Sequence, residues 1–127
     1  MMNAAYSFNS FSSDNLKASK EFYETILGLQ VDETDMGILE ISGIGNHKFI
    51  IYPKGKDHQP ANFTVLNFEV QDIEQVVTHL ISKGVVFEKY GKPLKTDDKG
   101  IFRGKDNHKI AWFKDPSGNI LSIIEER

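Results

Sequence analysis

The sequence predicts an α+β fold built from two βαβββ modules, curled towards each other around a shared cavity. Three observations predict it. The layout of "FNSFSSDNLKASKEFYETILGLQV" returns in "TVLNFEVQDIEQVVTHLISKGVVFE" as strand, Asp, amphipathic helix, Gly and strand. Further strand-like runs follow each helix. A chain of 127 residues is long enough for one compact domain that buries about two thirds of its unfolded surface.

In the first half, Asp14 reads as the N-cap of a helix carrying Leu16, Ser19, Phe22, Tyr23, Ile26 and Leu27 on one face. Gly28 suits the left-handed residue that ends a helix. Strands are expected at Leu29–Thr34, Gly37–Ile41 and His47–Tyr52. In the second half, Asp72 caps a helix whose Ile73, Val76, Val77, Leu80 and Ile81 recur at helical spacing, and Gly84 ends it. Strands are expected at Val85–Tyr90, Lys109–Lys114 and Asn119–Ile124. "DPSGN" joins the last two, with Pro116 second in a turn and Gly118 where positive φ is needed. "GKPLKTDDKGIFRG" reads as a long loop. The modules are expected at about residues 4–53 and 62–127, with a proline-marked linker at 54–61. A sheet backed by one helix leaves a face open, and curling two modules together would bury both faces. A ferredoxin-like sandwich is the second choice, disfavoured by the extra strand per half.

Composition narrows the function classes. A net charge of -3 disfavours nucleic acid or an anionic membrane as partner. No run approaches the ~18 apolar residues of a membrane span. The N-terminus shows no signal-peptide pattern, and cysteine is absent, so a cytoplasmic location is expected. Without cysteine there is no thiolate nucleophile or thiolate metal ligand. "GIGN" lacks the strand–turn–helix context of a phosphate loop, and no nucleophile elbow occurs.

"SSDNLKASKEFYETILGLQV" resembles the D-l-x-x-s-x-x-F-Y-x-x-x-L-G segment of the vicinal oxygen chelate superfamily, the glyoxalase, bleomycin-resistance and extradiol dioxygenase-like domains. "AWFKDPSGNILSIIEE" resembles that family's closing F-x-D-P-x-G-N strand pair. The resemblance spans nearly the whole chain and implies the fold more firmly than any reaction. It implies metal ligands on the first and last strands of each module, facing the cavity. Counted from the helix-opening Asp, the first-strand positions are Ser7 and Val65; after the turn glycine, the last-strand position is Ser122, with its counterpart near Phe49. These side chains cannot make the nitrogen and carboxylate site such metals need. No cofactor is therefore expected.

Strand alternation from these positions places Ser7, Asn9 and Phe11 on the cavity face, with Val65, Asn67 and Glu69 opposite and Ser122 on the last strand. Mid-strand polar groups such as Asn67 are typical of pockets. The ligand-binding set expected is Asn9, Phe11, Phe49, Asn67, Glu69, Arg103, Trp112 and Ser122. Arg103 would bring a cation to the pocket mouth. His108, Ile110 and Trp112 are expected to face inward. Glu69 and His108 are the acid/base candidates if a reaction is catalysed. The leading expectation is a metal-independent domain that binds a small organic molecule, as a homodimer. The alternatives are an enzyme acting without the usual metal, and a structural homodimer with a vestigial cavity.

Overall fold

The computed structural model describes residues 1–126; Arg127, the last residue expected in the second module, lies outside them. The chain divides into two compact units, Met1–Gln59 and Pro60–Arg127. Each holds one four-stranded mixed sheet, so the architecture is α+β and the ferredoxin-like alternative is excluded. No helix among the described residues is long and apolar enough to cross a membrane.

The first unit contains β1 (Asn9–Ser13), α1 (Leu16–Glu21), β2 (Gln30–Glu33), β3 (Leu39–Ile44) and β4 (His47–Pro53). The strand order is β1-β4-β3-β2. The first pair is parallel and the other two are antiparallel. Asn15, not Asp14, caps α1, its side chain accepting from the amide of Ala18 at 3.1 Å. The helix continues as a π turn, Phe22–Ile26, in which the Leu27 amide reaches back to the Phe22 carbonyl at 3.0 Å. Instead of one uniform stripe, Tyr23 carries the packing. It is fully buried with Leu39, Ile41, Phe49 and Ile51, each such side chain contributing about 1.5–3 kcal/mol of burial. Ser19, also buried, pairs its hydroxyl with that of Ser13 at 2.7 Å, which satisfies both groups.

The second unit contains β5 (Thr64–Glu69), α2 (Ile73–Ser82), β6 (Ile101–Arg103), β7 (Lys109–Lys114) and β8 (Ile120–Glu125), with strand order β5-β8-β7-β6. The first unit's topology is thus repeated. Asp72 caps α2 by accepting from the Gln75 amide at 3.1 Å, and Glu125 accepts from the Ile73 amide at 2.9 Å. Two carboxylates therefore satisfy the positive end of one helix. Ile73, Val77 and Leu80 pack on this sheet's apolar side, where Ala111, Phe113, Leu121 and Ile123 are buried.

One strand differs from expectation. Val85–Tyr90 forms no ladder: it touches β7 through a single bridge, Phe87 to Phe113, and the Glu88 amide donates to the Trp112 carbonyl at 2.8 Å. Its place in the sheet is taken by β6, from within the stretch expected to be loop. The closing turn forms as its residues require. The Asp115 carboxylate accepts from the amides of Ser117 and Asn119, both at 2.9 Å, and Gly118 holds φ at 83°.

Candidate functional site

Each sheet has one face towards its helix and one without a helix. In the second sheet, paired residues on neighbouring strands share a face, and Leu66, Leu121 and Phe113 lie on the helix side. Alternation then puts Asn67, Ser122 and Trp112 in one row across the helix-free face. Glu69, Ile124 and Ile110 form the next row, joined by Phe102 of β6.

The first row is a built arrangement. The Ser122 hydroxyl donates to Asn67 Oδ1, and Ser122 is fully buried. With Oδ1 engaged, the amide nitrogen of Asn67 remains as a donor. The Trp112 ring meets Tyr90 edge-on with centroids 5.4 Å apart, and Phe102 at 6.4 Å. Burial raises the Tyr90 hydroxyl pKa, with the nearby Glu88 charge adding to it. Tyr90 and Phe102 were missed in the sequence reading. The only available signal was that aromatics recur in the segments flanking Trp112.

In the first sheet the expected facing is corrected. Phe11 stacks on Phe49 at 5.7 Å and meets Tyr23 at 6.3 Å, so both phenylalanines belong to the helix-side core and are not pocket walls. Asn9 pairs with Phe49 and shares that side; its Oδ1 is buried without a partner among the described residues. The helix-free face instead carries Ser10, Ser12, Glu40, Lys48, Ile50 and Tyr52. There the Ser12 hydroxyl and His58 Nδ1 are 2.6 Å apart. The cause is the cap. Matching Leu16, Ser19, Phe22 and Tyr23 to the family segment puts Asn15 where its Asp stands, one residue beyond Asp14. A one-residue slip turns every side chain of a strand to the opposite face.

Arg103 is also corrected. On β6 it lies on the same side as buried Ile101, towards α2. Its guanidinium contacts the Glu74 carboxylate closely and Asp97 at 3.4 Å. The Glu74 pair raises the guanidinium pKa, and Arg103 correspondingly lowers that of Glu74. His108 pairs with Glu126 at 3.2 Å, beyond the end of β7, and Glu69 is exposed. Among the described residues no interaction joins Glu69 and His108 into an acid/base pair.

Counting back from the true cap moves the first-strand metal position from Ser7 to Phe8, while Val65 keeps its place before Asp72. Strand register makes Ile50, paired with Ser10, the counterpart of Ser122, paired with Asn67. Phe8, Ile50, Val65 and Ser122 offer no nitrogen or carboxylate donor. No group of three or more His, Cys, Asp or Glu stands close enough to hold a metal ion among the described residues. These residues do not fit the family's metal centre.

The profile of the Glyoxalase/Bleomycin resistance protein/Dioxygenase superfamily matches residues 10–123. Among solved structures, a member of that superfamily from Sphaerobacter thermophilus is similar with a TM-score of 0.73 and 19% identity, over 97% of this chain and 98% of that one. A lactoylglutathione lyase from Agrobacterium tumefaciens gives 0.69 and 14%, over 97% and 95%. An integron cassette protein from Vibrio cholerae gives 0.68 and 15%, over 100% and 99%. At these identities the likeness establishes the fold alone. No curated protein matches the chain in sequence.

Proposed function

Because the chain belongs to the Glyoxalase/Bleomycin resistance protein/Dioxygenase superfamily, we propose that it binds a small planar organic molecule on the helix-free face of its second sheet, without the metal centre of metal-dependent members. The observation that carries this reading is the row Asn67, Ser122, Trp112. Where such members are expected to place a metal-binding carboxylate, Ser122 instead orients an amide. The residue beside it in the sheet is a half-buried tryptophan.

The chemistry follows from those groups. An aromatic ring stacked on Trp112 gains about 0.5–1.5 kcal/mol beyond its burial. The Asn67 amide nitrogen then offers one directional hydrogen bond to a carbonyl or ring nitrogen. Few polar groups on an apolar floor suit recognition better than proton transfer. Glu69 and His108, the acid/base candidates, lie apart from this row.

The test is a thermal-shift screen of planar aromatic compounds, run with a chelator and again with Zn²⁺ or Mn²⁺. A ligand that binds only the folded state at a hundred times its Kd stabilises by about 2.7 kcal/mol. Binders should raise the melting temperature equally with and without metal, quench the single tryptophan, and lose effect in Trp112→Leu. Binding only with metal, unchanged binding in Trp112→Leu, or a screen without binders would overturn the reading. Turnover of a bound compound would favour the enzyme alternative.

A further inference from the structure

The short strand β6 joins two features that lie on opposite sides of the second sheet. Phe102 points to the helix-free face, where its ring meets Trp112 at 6.4 Å. The next residue, Arg103, points to the helix side and contacts Glu74 in the first turn of α2. Successive residues of a strand face opposite ways, so whatever holds Arg103 also sets where Phe102 lies.

This strand is three residues long and sits at the sheet's edge, paired with β7 and bridged once more, from Phe102 to Thr96. Ile101, 1% exposed, anchors its start. Beyond Arg103 the backbone stays extended at Gly104, where an added Cβ would come within 3.2 Å of the Phe102 ring. The charged ties to α2 all converge on Glu74, which takes Arg103 on one oxygen and Lys99 on the other at 3.4 Å. Asp97 holds the same guanidinium at 3.4 Å and accepts from the amides of Lys99 and Ile101, both at 2.9 Å. Lys99 also donates to Thr78 at 3.2 Å.

We propose that the Glu74–Arg103 pair is a latch that holds Phe102 against Trp112 and thereby sets access to the helix-free face. Glu74 is a positioning residue in this device, acting on the aromatic patch through β6. The proposal rests on reading that face as the binding face, but the latch can be tested without any ligand. The pair is exposed, so salt and acid should both release it. Arg103 and Lys99 face Glu74, and Asp97 shares Arg103, so these are the charges that govern its titration. The Arg103 hydrogen bond lowers the Glu74 pKa, so the latch holds above the ordinary value of 4.5 and opens as pH falls below it.

The experiment is acrylamide quenching of Trp112, the chain's only tryptophan. In Glu74→Gln the quenching constant is expected to rise about twofold, as for a locally opened segment. Wild type should reach the same value in roughly 1 M salt, where screening extends only about 3 Å, or once pH falls well below 4.5, through the lowered pKa of Glu74. Glu74→Gln should respond less than wild type to both, through the Asp97–Arg103 contact that remains. Unchanged quenching in a folded Glu74→Gln, or an equal salt response in both proteins, would overturn the latch. Should Glu74→Gln fail to fold, Arg103→Gln and the wild-type salt titration decide the same point. Raised quenching with no binder found would overturn only the binding reading; a binder with unchanged quenching would overturn only the latch.

Discussion

One side-chain hydrogen bond, from Ser122 to Asn67, ties the middle of β8 to β5. Ser122 is fully buried while Asn67 is exposed, so the bond satisfies a hydroxyl that water cannot reach. Asn67→Val should destabilise the protein by about 1–3 kcal/mol, the cost of a stranded buried group. Adding Ser122→Ala should recover most of that loss, because neither partner is then left unpaired. Urea midpoints of the single and double variants check this, and a double variant as unstable as Asn67→Val would count against it. The polar character of Asn67 was legible in the sequence, since its neighbours Leu66 and Phe68 are apolar. The facing of Asn9 and Phe11 was not. Both Asp14 and Asn15 are good capping residues, and intrinsic preference cannot choose between them. Asn15 caps because its side chain reaches the Ala18 amide; the spacing to Phe22 and Tyr23 was the clue that could have decided it.

At the level of elements, α2, β5, β7 and β8 follow from periodicity, since each buries an apolar face of regular period. β6 does not, because three residues inside a polar stretch carry no period. The run Val85–Tyr90 has strand-like composition, yet only its alternate members Val85 and Phe87 are buried and Val86 is 80% exposed. Its place beside β7 is limited to one bridge. What permits β6 is Gly100, which turns the chain at φ of 91° directly against Phe87. An added Cβ there would lie 2.7 Å from Phe87 Cβ. Gly100→Ala should therefore cost about 2 kcal/mol or more, combining left-handed strain with a clash that backbone must move to relieve. Gly91→Ala, with open space around its Cβ and no positive φ, should stay within about 1 kcal/mol of wild type and tend to stabilise. Thermal melts of the two variants make the comparison. Equal effects would mean that the turn at Gly100 can relax.

The whole chain is one topology used twice, as the orders β1-β4-β3-β2 and β5-β8-β7-β6 make plain. The copies have diverged on their helix-free faces: serines, Glu40 and Lys48 on the first, aromatics around Ser122 on the second. The repeat itself was legible because both helices share one pattern of cap, stripe and glycine. Pairing with a second copy, expected in the sequence analysis, is recorded in no periodicity. One structural feature speaks to it. β1 and β5 each begin beside a large exposed aromatic, Phe8 at 54% and Phe63 at 64%. Each is also an edge strand of its own sheet. Open edges flanked by apolar groups favour pairing with another chain, and a symmetric pair is the commonest closed solution. We therefore expect a homodimer, with sedimentation at micromolar concentration giving twice the 14.4 kDa chain mass. Replacing Phe8 and Phe63 together by Ser should shift that equilibrium towards single chains while the far-ultraviolet spectrum stays unchanged. A wild-type mass of one chain, or a variant that remains fully dimeric, would show that these aromatics do not mark the contact.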